Sequence, residues 1–129
     1  MHTIKGILAV ILCAISSILM AQERCFSLDS LYQSWHEDGW TDLSLVERSL
    51  MNISQDSLKD DSSKILFRFL GSCYLYQKQD LGGTCREGFE SFLHDRMNHG
   101  IYDYSYLEAA VMLGDCYYAA NDLFQAETV

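Results

Sequence analysis

Chemistry in this chain would start from its histidines, its cysteines and its clustered acids, and Trp35-His36-Glu37-Asp38 is the densest such group. A His beside two carboxylates has the composition of a general-base site. Consecutive residues on a helix project in different directions, however, so this spacing favours a solvated helix end. His94 and His99 stand five apart, which does not align them on one helical face, and no pair of cysteines has metal-ligand spacing. Gly82-Gly83 has no neighbouring Lys with which to cradle a phosphate and reads as a turn, and no Ser sits between glycines as in a nucleophile elbow. Asn52-Ile53-Ser54 fits a glycosylation acceptor, which matters only in a host that glycosylates such sites. No catalytic residue, metal ligand or cofactor is therefore expected, and the chain reads as a non-enzyme.

What remains is the chemistry of recognition. Tyrosine offers apolar area, a polar tip and little side-chain entropy to lose, and it recurs at Tyr74, Tyr76, Tyr102, Tyr104, Tyr106, Tyr117 and Tyr118. Helices must position these side chains. Leu28, Leu31, Tyr32 and Trp35 fall at i, i+3, i+4 and i+7 behind Ser27, a fitting N-cap, and Gly39 ends that helix. The pattern predicts a second helix over 42–52, with Ser44-x-x-Glu47 as a capping box and Val46, Leu50 and Ile53 inward. Residues 54–63 are polar and read as a turn or linker. Leu66, Phe69, Leu70, Cys73 and Tyr74 keep helical spacing over 63–79. Thr84-x-x-Glu87 opens a helix that buries Phe89, Phe92, Leu93 and Met97 and stops at Asn98-His99-Gly100. Ser105-x-x-Glu108 opens another that ends near Ala120. Alternating runs between hairpin turns are missing, so no strand is expected.

One stretch is used twice. Ala110-Val-Met-Leu113-Gly114-Asp-Cys116-Tyr117 echoes Phe67-Arg-Phe-Leu70-Gly71-Ser-Cys73-Tyr74, 43 positions earlier. These intervals place the repeated residues on one helical stripe. Glycine inside a helix costs roughly 1 kcal/mol against Ala, so Gly71 and Gly114 at one repeat position predict a close approach of another helix. Phe67, Leu70, Gly71 and Tyr74, followed by Ala110, Leu113, Gly114 and Tyr117, resemble the first helix of the tetratricopeptide repeat in two successive units. Asn121-Asp122 matches that family's turn, and Ala126 stands where its second helix places a small residue. The chain departs from the family in its Gly82-Gly83 insertion, in its longer period and in having no Pro. A weaker echo, Leu31-Tyr32-Gln33 against Leu75-Tyr76-Gln77, suggests a degenerate first repeat.

The resemblance implies an all-α fold of antiparallel helical hairpins stacked as a short right-handed solenoid, with residues 22–62 as a degenerate helical pair and 63–129 as the repeats, the last incomplete. It also implies a concave surface lined by the first helix of each repeat, and so assigns Tyr76, Gln77, Asp115 and Tyr118 to partner contact, while Tyr74 and Tyr117 pack inward. Cys73 and Cys116 share a repeat position on helices ~8–10 Å apart, beyond the ~7 Å between Cα atoms that a disulfide tolerates. They read as small buried apolar residues; a Cys25–Cys85 bridge stays open. Val129 falls early in a helix that the repeat would carry further. The chain thus reads as a piece of a longer repeat protein, or else as one whose open edge packs against a partner.

Residues 1–21 read as a secretory leader. His2 and Lys5 form a basic head, an apolar run follows, and Met20-Ala21-Gln22 offers a small residue for cleavage. Neither Cys13 nor Cys25 is preceded by the small residues of a lipoprotein signal. A membrane is a partner only if the leader stays uncleaved. Removing the leader takes away Lys5 and no acid, leaving 8 basic against 18 acidic residues. Such a balance excludes nucleic acid, which needs clustered cations, and suits a basic partner surface. The expected protein is an exported, bacterial, non-catalytic scaffold for a protein or peptide, periplasmic or associated with the cell envelope. The alternative is the sensor or uptake part of a larger cell-envelope protein.

Overall fold

A computed structural model of the chain describes residues 25–121, so the leader and Ala126 lie outside the described residues. Four of the five α-helices among the described residues begin where a side chain accepts from their free N–H groups, and aspartate caps three of them. Ser27 Oγ accepts from Ser30 N at 3.3 Å ahead of α1 (Leu28–Asp38), which Gly39 ends at φ 68°. Asp42 caps α2 (Leu43–Asn52) by accepting from Leu45 N at 3.1 Å. A single 3-10 turn, Gln55–Ser57, leads to α3 (Asp61–Gln77), capped by Asp60, which accepts from Ser63 N at 2.8 Å. α4 (Gly83–Asn98) has no side-chain cap, and α5 (Tyr104–Ala119) is capped by Asp103 through Tyr106 N at 3.0 Å.

Three expected capping boxes are therefore not the caps used. At α2 and α5 an aspartate two residues upstream of the expected Ser takes the N–H groups, because its carboxylate also meets the positive end of the helix dipole. At α4 the helix begins one residue ahead of Thr84. All regular structure among the described residues is helical, and the fold class is all-α.

α3 and α4 form the main hairpin, running antiparallel with the Phe69 and Phe92 rings stacked 3.9 Å apart. α5 returns along α4, and α1 and α2 pack on α3 and on each other. One continuous core results: Leu31 and Trp35 from α1, Val46 from α2, Phe69, Leu70 and Cys73 from α3, Cys85, Phe89 and Phe92 from α4, and Ala109, Leu113 and Cys116 from α5. Trp40 closes the α1–α2 turn by donating its indole N–H to Leu31 O at 3.2 Å. Met97 was expected inside and is 52% exposed; it lies in the last turn of α4, where its neighbours Arg96, Asn98 and His99 line the clefts facing α3 instead.

The close helix approach expected at Gly71 is found elsewhere. A Cβ on Gly71 would meet nothing within 4 Å, whereas one on Gly88 of α4 would come to 2.6 Å from the Arg68 carbonyl oxygen and would collide with Ser72. Ser72 Oγ is buried at this contact without a hydrogen-bond partner among the described residues. Such an atom forfeits its water, at a cost of roughly 1–3 kcal/mol, which the tight α3–α4 packing must outweigh.

The four described cysteines are free. Cys73, Cys85 and Cys116 are buried, and Cys85 Sγ lies 3.8 Å from Cys116 Sγ, so the proximity that this fold creates joins α4 to α5 and leaves Cys25 apart. Burial pushes the Cys85 thiol up to about 12, with the Cys116 sulfur adding to the shift.

The two glycines make opposite predictions. Gly88→Ala should destabilise the chain by about 1–3 kcal/mol, since backbone must move to admit the methyl group. Gly71→Ala should be neutral or stabilising by up to ~1 kcal/mol through helix propensity. Urea melts followed by circular dichroism read both values, and a Gly88→Ala midpoint equal to the parent's would remove this contact from the account.

Candidate partner-binding groove

α5 is apolar on two sides. Ser105, Ala109, Leu113 and Cys116 are buried, while Tyr104, Leu107, Val111 and Tyr118 are 61, 59, 66 and 67% exposed. Tyr104, Leu107 and Val111 recur at i, i+3 and i+7, and so make one stripe. A contiguous apolar stripe left in solvent marks an interaction surface more often than an isolated side chain does.

The stripe forms one wall of a cleft of about 430 Å³ among α1, α3 and α5. Its floor is Trp35 and Cys73, both nearly inaccessible, and its opposite wall is Tyr76 and Gln77 of α3, with Glu108 beside Leu107 and Val111 on the α5 side. Tyr76 donates its hydroxyl to Asp115 Oδ2 at 2.5 Å, which ties the α3 wall to α5. That bond, then partial burial and the carboxylate's charge, raise the Tyr76 hydroxyl to about 12. Tyr104 bonds Glu108 in the same manner, and its hydroxyl is likewise raised. Both carboxylates of the α5 face are thus held in place by tyrosines.

A second set of bonds fixes the end of the cleft. Tyr32 OH and Ser105 Oγ, on α1 and α5, are 2.7 Å apart, and Ser105 Oγ lies 3.5 Å from His36 Nδ1. His36 stacks on Tyr32 at 6.1 Å and meets Tyr104 edge-on at 6.0 Å. Proximity of a Ser to a His invites a catalytic interpretation, but Ser105 is only 1% exposed and no substrate reaches it. Glu37, the acid beside His36, instead accepts from Gln33 Nε2 at 3.1 Å along its own helix. The cluster serves to hold α1 against α5.

Of the contacts expected from sequence, Tyr76 and Gln77 line the cleft, Asp115 is bonded to Tyr76, and Tyr118 is exposed further along α5. Leu70 and Leu113 are buried; Phe67, Gly71, Tyr74, Ala110, Gly114 and Tyr117 are half-buried. Tyr117 donates its hydroxyl to Glu90 of α4. His94 and His99 do not line the groove, and among the described residues no group of His, Cys, Asp or Glu is arranged to hold a metal. A larger cavity, about 980 Å³, opens between the 55–58 segment, α3 and α4, but it is a polar cleft lined by Lys64, Arg68, Glu87 and Ser91 among others and holds none of the expected contacts. Sequence reasoning named Tyr104 among the recognition tyrosines without assigning it to partner contact, and missed Trp35, Leu107, Glu108 and Val111 as groove residues. The signal was available, because a helix apolar all round must bury its second face against something.

No helix among the described residues is long and apolar enough to cross a membrane. No protein-family model matches the chain, and neither does any curated protein or solved structure.

The Tyr76–Asp115 bond predicts a pH effect with a definite sign. The Tyr76 hydroxyl holds its proton to about 12 when folded and to about 10 when unfolded, so its contribution to stability is complete below pH 10 and is lost as pH rises towards 12. Asp115→Asn should bring the last tyrosinate step down towards 10 in an ultraviolet titration at 295 nm. An unchanged last step would show that Tyr76 is not held by Asp115.

Proposed function

We propose that this chain is a non-catalytic binding scaffold that holds a segment of another protein, or a peptide, in the α1–α3–α5 groove. The observation that carries the reading is the exposed stripe of Tyr104, Leu107 and Val111 facing Tyr76 and Gln77 across an apolar cleft. Aromatic and aliphatic side chains in a concave, pre-formed site supply binding energy by losing water, and tyrosines anchored by carboxylates lose little freedom when a partner arrives. Cys73, Ser105 and Cys116 are buried, which leaves no accessible nucleophile among them.

We further propose that the helices are repeat hairpins of the tetratricopeptide kind, in which α1, α3 and α5 are the first helices. Leu70 and Leu113, matched in the two copies, are both buried, and a small residue of a second helix, Gly88, packs against the first helix of its unit. The Tyr32–Ser105 bond between first and third units would tighten the concave side beyond a strict nearest-neighbour array. The leader read in residues 1–21 supports export, with the groove acting in the periplasm or at the cell envelope.

Panning random displayed peptides against the purified chain tests the reading. Clones should emerge whose binding falls roughly tenfold or more on Leu107→Ser/Val111→Ser, a pair of exposed positions whose change leaves the core intact. Clones indifferent to the pair would contradict a binding role for this groove.

A further inference from the structure

The charge around the groove is one-sided. α1 and α5 contain Asp29, Glu37, Asp38, Glu108 and Asp115 and not one Lys or Arg. The cations of α3 and its end are turned elsewhere: Lys64 and Arg68 line the larger cavity, and Lys78 sits 6.0 Å over the Tyr74 ring. Of those of α4, Arg96 pairs with Asp103 at 3.7 Å, while Arg86 pairs with Glu90 at 3.7 Å and lies 5.9 Å over the ring of Tyr117, on the α5 side that packs against α4. Nothing basic therefore neutralises Glu108 and Asp115 at the groove from the helices that build it. His36, the remaining titratable ring on this side, turns Nδ1 towards Ser105.

Resting on the binding role proposed above, we propose that the segment held in this groove is basic: a short peptide carrying Lys or Arg between apolar side chains. The apolar residues would cover Leu107, Val111 and Trp35. The cation would lie against the faces of Tyr76 and Tyr104, within reach of the two carboxylates, an arrangement in which ring quadrupole and charge attract it together. From Tyr104 to Tyr118 the stripe runs about 21 Å at ~1.5 Å per residue, the length of about six residues of extended chain. An acidic peptide, a nucleic acid or an anionic lipid surface would meet carboxylates with no compensating cation.

The panning experiment separates this inference from the reading beneath it. Clones lost on Leu107→Ser/Val111→Ser should be enriched in Lys and Arg relative to the unselected library. A synthetic peptide copied from one of them should bind about three- to tenfold more weakly to Glu108→Gln/Asp115→Asn, and more weakly at 300 than at 50 mM NaCl. The melting temperature of each variant, read alongside, confirms that it is folded. Groove-dependent clones without basic enrichment, or whose peptide ignores both the double variant and salt, would overturn the inference and leave the binding role standing. If no clone depends on Leu107 and Val111, both fall.

Discussion

α4 can lie against α3 only because residue 88 has no side chain. Gly88 sits where a Cβ would run into backbone at Arg68, and this closeness brings Phe92 flat onto Phe69 and Cys85 within 3.4 Å of the Ser72 carbonyl. α5 packs on the α4 so placed, and its direction decides which residues remain outside. If α4 stood an ångström or two further off, the rings would separate and the wall carrying Tyr104, Leu107 and Val111 would move with α5. The groove is thus a consequence of packing on the far side of the molecule, and a buried Ser72 hydroxyl without a partner is part of what that packing costs.

The sequence disclosed this fold unevenly, and the reasons are physical. Five helices could be placed from apolar spacing, because a helix that buries one stripe writes that stripe at intervals of three and four. Their starts were less legible: Ser44, Thr84 and Ser105 match a capping motif, but Asp42 and Asp103 offer a charged acceptor to the same N–H groups. Gly71 looked like the close contact because it repeats as Gly114, whereas the position that needs glycine, Gly88, lies outside the repeated stretch. Periodicity reports what a helix buries along itself; it does not report how near its neighbour comes.

The groove was half legible. Tyr76 and Tyr118 stood off the core stripe, and the resemblance added Gln77 and Asp115; Tyr76 and Gln77 line the cleft, and Asp115 is bonded to Tyr76. The opposite wall was missed because nothing in sequence separates Leu107 and Val111 from the buried apolar residues of the same helix, and only the packing of α5 shows which apolar face is left over. Tyr32 and Ser105 are 73 positions apart, so their bond, and with it the nearness of α1 to α5, belongs to tertiary structure alone. His36 shows both sides of this: the spacing favoured a solvated helix end, and His36, Glu37 and Asp38 are exposed at the end of α1, but its neighbours in space, two tyrosines and a buried serine, could not be read from sequence.

The central claim, that the α1–α3–α5 face takes the partner, is tested most directly by mapping amide and indole chemical shifts of the isotope-labelled chain during titration with a groove-selected peptide. The account predicts saturable shifts at the Trp35 indole, Tyr76, Gln77, Leu107, Glu108 and Val111, with Lys64, Arg68 and Ser91 unmoved. Shifts concentrated at Lys64, Arg68 and Ser91, with a silent Trp35 and Val111, would place binding in the larger polar cleft and contradict it.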